Sequence, residues 1–397
     1  MSRAVDRSVA GGSGDDVDHH DTRLRKSQQA PTIEPMSTSI DRIREVIATS
    51  GMNQGEFAQA MGLDAPKLSK SLAGTRRFTS LDIARIAEVG GVSVDWLLGG
   101  AEPILLTAAR RAAGTSSEVA TAAASRLVEL RDVANALGRV RTFPEISGTS
   151  PSGPDRAVGR WFADEALRLV AERGFSQIGL DLASVIETFF KFDVAVVDLG
   201  AGFDGLSVHA DNVRMILAAP TANLARQRFT MAHELGHLLM GDDQAVHLDQ
   251  DIYSPSLKAI PSEVRANAFA AAFLMPAATL AERVRPGFDE PSFAALAMDC
   301  LVSPSALAIR LGGLRLIDQL AVERYRRMTV EKAAARAGRS AELGNWAQLG
   351  VTARVPSLLA EDLFAAYTAG ETTLRPYARL LGVDPSELRQ SLRHEGD

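Results

Sequence analysis

The 397-residue chain holds a single cysteine, Cys300, which excludes both a disulfide framework and a zinc module built from cysteines. Long apolar runs are missing too. Stretches such as 215–219 and 268–275 fall well short of the ~20 residues that span a bilayer. The N-terminus lacks the apolar segment of a secretory signal. Charge of one sign is not in large excess. A formal net charge of −6 argues against a general nucleic-acid coat and leaves room for a local basic patch. Histidine is scarce, with seven in the chain, so two in register carry weight. What is present is an ordinary globular balance, 46% hydrophobic and 23% charged, enough for a sizeable core. The length implies two or three domains at roughly 100–200 residues each. Together these point to a cytoplasmic protein in a reducing compartment, with no membrane segment.

The chain divides by composition. Residues 1–37 are polar, with Gly11-Gly12-Ser13-Gly14-Asp15-Asp16 followed by His19-His20. Such a segment cannot bury enough surface to offset its ordering entropy and reads as a disordered tail; the two histidines read as incidental. Residues 38–100 read as five short helices. Residues 101–157 form a connector, an Ala-rich helix over roughly 104–139 and then a Pro/Gly/Ser linker from Pro144 to Pro154. Residues 158–328 begin with helices to Arg173 and over 179–190. They continue with strand candidates at 192–198 and 213–218, separated by Gly200, Gly202 and Gly205. From Ala222 onward the pattern is almost wholly helical, with 329–397 as a helical C-terminal region. The fold class is therefore mainly α with a small β-sheet (α+β).

Within 38–100, Ser39 can cap a helix carrying Ile40, Ile43, Val46 and Ile47 on one face. Asn53 opens a second helix that Gly62 stops. Asp64 caps a third, with Pro66 in its first turn, where the missing N–H costs nothing. The next carries Ile83, Ile86 and Ala87, and the last Val94, Trp96, Leu97 and Leu98. Two short helices joined by Gly62-Leu63 make a helix-turn-helix, the second placed to lie in a major groove. Lys67, Lys70, Arg76 and Arg77 form a positive cluster suited to phosphates. The region nevertheless holds seven Lys and Arg against seven Asp and Glu, so non-specific affinity should be weak. The string Asn53-Gln54, Phe57-Ala58, Gly62, Leu68-Ser69, Gly74, Leu81, Ile86-Ala87 and Val94-Asp95-Trp96-Leu97-Leu98 resembles the Xre/lambda-repressor-like family. That resemblance implies a phosphate contact at Gln54, base-facing residues over 65–70 (Ala65, Pro66, Lys67 and Lys70 among them) and a homodimer on operator DNA. Thr79 departs from the proline common in the family.

The sharpest signal is Arg226-Gln227-Arg228-Phe229-Thr230-Met231-Ala232-His233-Glu234-Leu235-Gly236-His237-Leu238-Leu239. Two histidines four apart lie on one helix face, so both imidazoles can reach one ion. Glu234 can then take a proton from a water at the open position and pass it to a leaving amine. Gly236 costs ~1 kcal/mol inside a helix and points to close backbone approach. A catalytic zinc keeps three protein ligands. The metzincin extension is excluded, because Met240 and Asp243 stand where it needs glycine and histidine. Glu263, on a later Ala-rich helix with Asn267, Ala270 and Leu274 on one face, is the leading third ligand. His247, Asp242 and Asp243 compete, although a loop acid there reads as a solvated turn residue. His209 is a candidate substrate contact against a plain surface histidine.

Arg-x-Arg-Phe-Thr-x-Ala-His-Glu-Leu-Gly-His, then Glu-x-x-Ala-Asn-x-Phe-Ala-Ala-x-x-Leu-Met-Pro, resembles the ImmA/IrrE-type metallopeptidase family over 222–276. Val302-Ser303-Pro304-Ser305-Ala306-Leu307 with Arg310-Leu311 resembles its following helix. The resemblance implies a zincin-like domain with His233, His237 and Glu263 as metal ligands and Glu234 as general base. Two imidazoles and a carboxylate favour Zn2+ over Mn2+. It also implies a regulator that relieves repression, in a stress response or otherwise, by cutting a protein substrate such as a repressor or antitoxin. The sequence departs from the family at Ala218-Ala219-Pro220-Thr221, where an asparagine often stands. An extended substrate is expected to add to the sheet edge near 205–219. In the C-terminal region, Gly370 to Val383 mimics a second small helix-turn-helix, but a helical cap or oligomerisation element is the favoured reading. Two other functions remain open: a transcription factor whose peptidase-like domain is a sensor or structural core, and the antitoxin component of a toxin pair.

Overall fold

The structure, a computed structural model, describes residues 39–90, 92, 97, 118–146, 151–174, 178–210, 212–242, 246–249 and 260–394. The expected tail over 1–37, most of the fifth N-terminal helix and the start of the connector helix lie outside the described residues. Two compact units are present, Met1–Gly99 and Gly100–Asp397.

The first unit contains α1 (Ser39–Thr49), α2 (Gln54–Ala60), α3 (Ala65–Leu72) and α4 (Ser80–Gly90). Asn53 starts α2 with a reciprocal cap: its Oδ1 accepts from the Glu56 amide at 3.0 Å, and the Asn53 amide donates to Glu56 Oε2 at 2.8 Å. This satisfies two of the amides a helix start leaves orphaned. Gly62 and Gly74 take left-handed φ of 68° and 76° after α2 and α3, where a Cβ would be strained. Ile43, Val46, Phe57, Ala58, Met61, Leu68, Ile86 and Leu97 form the core. Thr79 has a structural role: its Oγ1 accepts from the Asp82 amide at 3.1 Å, while its own amide donates to Asp82 Oδ2 at 2.9 Å. The amide bond to Asp82 is one that a proline at this position could not make.

The second unit is built on a small sheet. Its strands are β1 (Asp193–Val196), β2 (Gly205–Ala210), β3 (Val213–Ala218) and β4 (Val246–Asp249), in the order β1-β3-β2-β4. β1 runs parallel to β3; β2 is antiparallel to both β3 and β4. Side chains alternate across the sheet. Val194, Val196, Ile216 and Ala218 face a large core with α6 (Asp155–Glu172), α7 (Leu182–Phe190), α8 (Leu224–Met240) and α9 (Pro261–Leu274). Leu206, Val208, Met215 and Leu217 face the other way, towards α5 (Glu118–Ala136). The chain continues through α10 (Ala277–Arg283), α11 (Glu290–Cys300), α12 (Pro304–Gly313), α13 (Gln319–Tyr325), α14 (Val330–Arg336), α15 (Glu342–Val351), α16 (Ser357–Thr368), α17 (Arg375–Leu381) and α18 (Pro385–His394). Leu359 and Leu363 of α16 and Leu380 of α17 pack with α5 on that second sheet face. The unit is thus mostly helical, with helices on both faces of the sheet. No single helix among the described residues is long and apolar enough to cross a membrane.

The sheet corrects one expectation. β2 and β3 are both interior strands; Gly205–Val208 and Met215–Ala218 pair on both sides, so those stretches offer no edge to a substrate. The departure at Ala218–Thr221 is also spent internally. Ala219 donates its amide to Asp204 O at 2.8 Å and Thr221 donates to Gly350 O at 2.9 Å.

Candidate metal centre

α8 is held from several sides before it presents its histidines. Asn223 caps it, accepting from the Arg226 amide at 3.1 Å. Gln227, buried, donates to Ala219 O at 2.9 Å and Gly350 O at 2.8 Å. Arg228, also buried, donates to Gly179 O and Leu180 O at 2.6 and 2.9 Å, and burial pulls its guanidinium down to about 10. Two glycines allow neighbours to close in. A Cβ on Gly236 would stand 3.0 Å from Phe269 Cδ1, so its absence lets α9 lie against α8. A Cβ on Gly159 would meet Arg265 O at 2.2 Å, so α6 and α9 touch through bare backbone.

These contacts bring three expected donors together. His233 Nε2 and His237 Nε2 lie 3.0 Å apart. Glu263 Oε2 is 3.3 Å from His233 Nε2, and Glu263 Oε1 is 3.4 Å from His237 Nε2. Ligand atoms around a tetrahedral zinc at ~2.0–2.1 Å stand roughly 3.3 Å from one another, so both the spacing and the donor chemistry fit that ion. Glu234 follows His233 on the same helix, and all four side chains are at most 2% exposed.

Asp242 does not behave as the solvated turn residue its position suggests. Gly241 ends α8 with φ of 63°, which folds the chain back so that the Asp242 amide donates to His237 O at 3.2 Å. The Nδ1–H of His237 then donates to Asp242 Oδ2 at 2.9 Å. Burial pushes this carboxyl up, but hydrogen bonds from His237 and Arg265 and the charges behind them outweigh it and hold it below the usual Asp value. Asp243 lies outside the described residues. The backbone of His247 pairs with Ser207 in β4. His209 stands in β2 opposite Arg214. Cys300 is no candidate nucleophile, since burial pushes its thiol up to about 11.

In the first unit, Gln54, Ala65, Pro66, Lys67, Lys70 and Arg77 are exposed. Lys67 pairs with Asp64 at 2.9 Å. Arg76 is tied inward, to buried Asp82 at 2.9 Å and to Ser71 Oγ at 2.8 Å.

Two imidazoles and a carboxylate on one point, with a further carboxylate beside the first histidine, form the donor set of a metallopeptidase. Residues 191–311 match the family of the IrrE N-terminal-like domain, peptidase M78. Over 130 residues the chain is 39% identical to the radiation response metalloprotease IrrE of Deinococcus radiodurans, a stretch that covers 32% of this chain and 39% of that protein. The metallopeptidase part of the resemblance is thereby supported, and such a domain implies a divalent metal. The matched residues run from the foot of β1 into α12, so α5, α6 and α7 and the C-terminal helices complete the unit from outside the match.

Proposed function

We propose that this chain is a DNA-binding transcriptional regulator carrying a zinc-dependent endopeptidase that cuts one specific partner protein, a repressor or an antitoxin. The observation that carries the reading is the meeting of His233, His237 and Glu263 within the segment that matches the peptidase family. Those three residues would hold the ion. When bound, zinc supplies Lewis acidity and makes a water acidic enough to attack near neutral pH. Glu234, next to His233 on the helix, would act as general base towards the attacking water and would pass the proton on to the leaving amine as the peptide C–N bond breaks. The sheet and α9 keep bulk water away, which strengthens each electrostatic contact inside.

The first unit is the DNA reader in this proposal. α2 and α3, joined through Gly62, form the helix-turn-helix. α3 enters the major groove, Gln54, Lys67, Lys70 and Arg77 meet phosphates, and a homodimer reads two half-sites in the cytoplasm.

One observation favours a second reading, a transcription factor whose peptidase-like unit is a sensor or structural core. His233, Glu234, His237 and Glu263 are all fully buried, so a peptide reaches them only after a rearrangement. Co-expression with repressor-like proteins, wild type against Glu234→Gln, separates the two when products are read by mass spectrometry. The peptidase reading expects fragments from the wild type alone, at equal metal content. Equal cutting by the variant sinks the mechanism. No fragments from either, with unchanged reporter output, supports the sensor.

A further inference from the structure

The structure assigns to Asp242, Arg265 and Asp155 the role of a positioning relay that aims His237 at the metal point. This deepens the proposed function and rests on it. The relay begins at the imidazole. A carboxylate can only accept, so the hydrogen bond of 2.9 Å from His237 Nδ1 to Asp242 Oδ2 places a proton on Nδ1. The lone pair of Nε2 is then left facing His233 and Glu263. An acceptor on the far nitrogen of a ligating histidine fixes both tautomer and ring orientation.

Asp242 is itself held. Its other oxygen, Oδ1, accepts from Arg265 Nη2, and Arg265 Nη1 donates to Asp155 Oδ1 at 3.0 Å. Arg265 stands two residues beyond Glu263 on α9, and the relay thus joins the element carrying the third donor to the loop behind the second. Asp155 is the first residue of α6, directly after the Pro144–Pro154 linker. Gly159 lets α6 rest on the Arg265 carbonyl, which brings Asp155 within reach of the guanidinium, although its side chain is 40% exposed. The side chain of Asp242 is 7% exposed, so water does not replace its partners easily. The three residues come from three separate stretches of chain, and Asp155 lies outside the segment that matches the peptidase family.

The test is zinc affinity of the full-length protein, measured by competition with a chromophoric chelator, which needs no substrate. Asp242→Ala should weaken zinc binding by about 10–100-fold. Arg265→Met should weaken it by less in the wild-type background and by nothing further in the Asp242→Ala background, the signature of action through a shared partner. Asp242→Asn keeps the volume and one acceptor and should show a smaller loss. It carries the test if the alanine variant fails to fold, as judged by circular dichroism of the metal-free proteins. Zinc affinity within twofold of wild type in both Asp242 variants overturns the relay while leaving the metal site standing. An Arg265→Met loss of equal size in both backgrounds also overturns it. A wild type that binds no stoichiometric zinc, or a His237→Ala variant that binds it as well as wild type does, removes the site and the relay together.

Discussion

Gly205 and Glu234 meet where the sheet crosses the histidine helix. A Cβ on Gly205 would stand 3.6 Å from Glu234 Cγ and 2.4 Å from Thr230 Cγ2. At the second distance something must shift, so any larger residue would displace either Thr230 or the start of β2. Gly205→Ala should therefore lift the start of β2 away from Glu234. Overpacking of this kind costs about 1–3 kcal/mol. The expected result is a fall in cleavage rate larger than the loss of stability explains, with zinc affinity near that of the wild type. Parallel measurement of the unfolding midpoint, zinc affinity and product formation checks it.

Zinc should stabilise the second unit. Three potential ligand atoms lie within 4.8 Å of one another, and an ion that binds this folded arrangement but not the unfolded chain shifts the equilibrium towards the fold. At free zinc about 100-fold above its Kd the gain is ~2.7 kcal/mol, read as a rise of several degrees in Tm. The rise should vanish in Glu263→Ala and persist in Glu234→Gln. Loss of the shift in Glu234→Gln would make that residue a ligand and not the base.

Lys70, Arg77 and Arg76 of the basic cluster should separate into two classes. Lys70→Ala and Arg77→Ala remove exposed charges. Each should weaken operator binding across sequences and reduce the salt slope by roughly one. Arg76→Ala instead leaves the buried Asp82 carboxylate without its 2.9 Å partner and should lower stability. Fluorescence anisotropy at several salt concentrations and thermal unfolding distinguish the two.

Asp82 also fixes the sign of a pH effect. Burial raises its carboxyl pKa, but the Thr79 amide, the Arg76 guanidinium and the Thr79 side chain together bring it below 3.8. A carboxyl lowered on folding stabilises fully above its unfolded value, and that contribution fades as pH falls through the folded one. The first unit should therefore lose stability as pH drops below about 4, and Asp82→Asn should flatten that part of the profile. An unchanged profile in the variant would remove Asp82 as the cause.

The metal helix was legible because its chemistry is local. His233, Glu234 and His237 need only helical spacing to converge, and Glu263 follows from an Ala-rich helix able to pack closely. β3 was legible as an apolar run. β2 shows little strand pattern, because Gly205 and Ser207 on the face it turns to α8 carry no strand signal. β4 is four residues long, too short for a pattern to show. The role of Asp242 is not legible in the sequence, because it depends on the reversal at Gly241, which no spacing rule encodes. The helices covering the second sheet face bring α5 together with α16 and α17 from far along the chain, and nothing local marks that pairing.

That covering is pinned by Arg131, a buried arginine shared between two carboxylates. Its Nε donates to Asp193 Oδ2 at 2.7 Å, and its Nη1 reaches Asp362, which Arg141 also holds at 2.8 Å. α5, the start of β1 and α16 are thus locked by one guanidinium. Burial, with the nearby Glu187 charge, holds the Asp193 carboxyl above the usual Asp value, and Arg131 opposes that shift. Arg131→Ala would strand a buried charge, a change that costs about 3–5 kcal/mol. Removing the charge and its partner together, as Arg131→Met with Asp193→Asn, should recover part of that loss, since Asp362 keeps Arg141. Urea unfolding of the single and double variants measures the difference. A double variant no more stable than Arg131→Met alone would show that the stranded Asp193 charge is not the source of the loss.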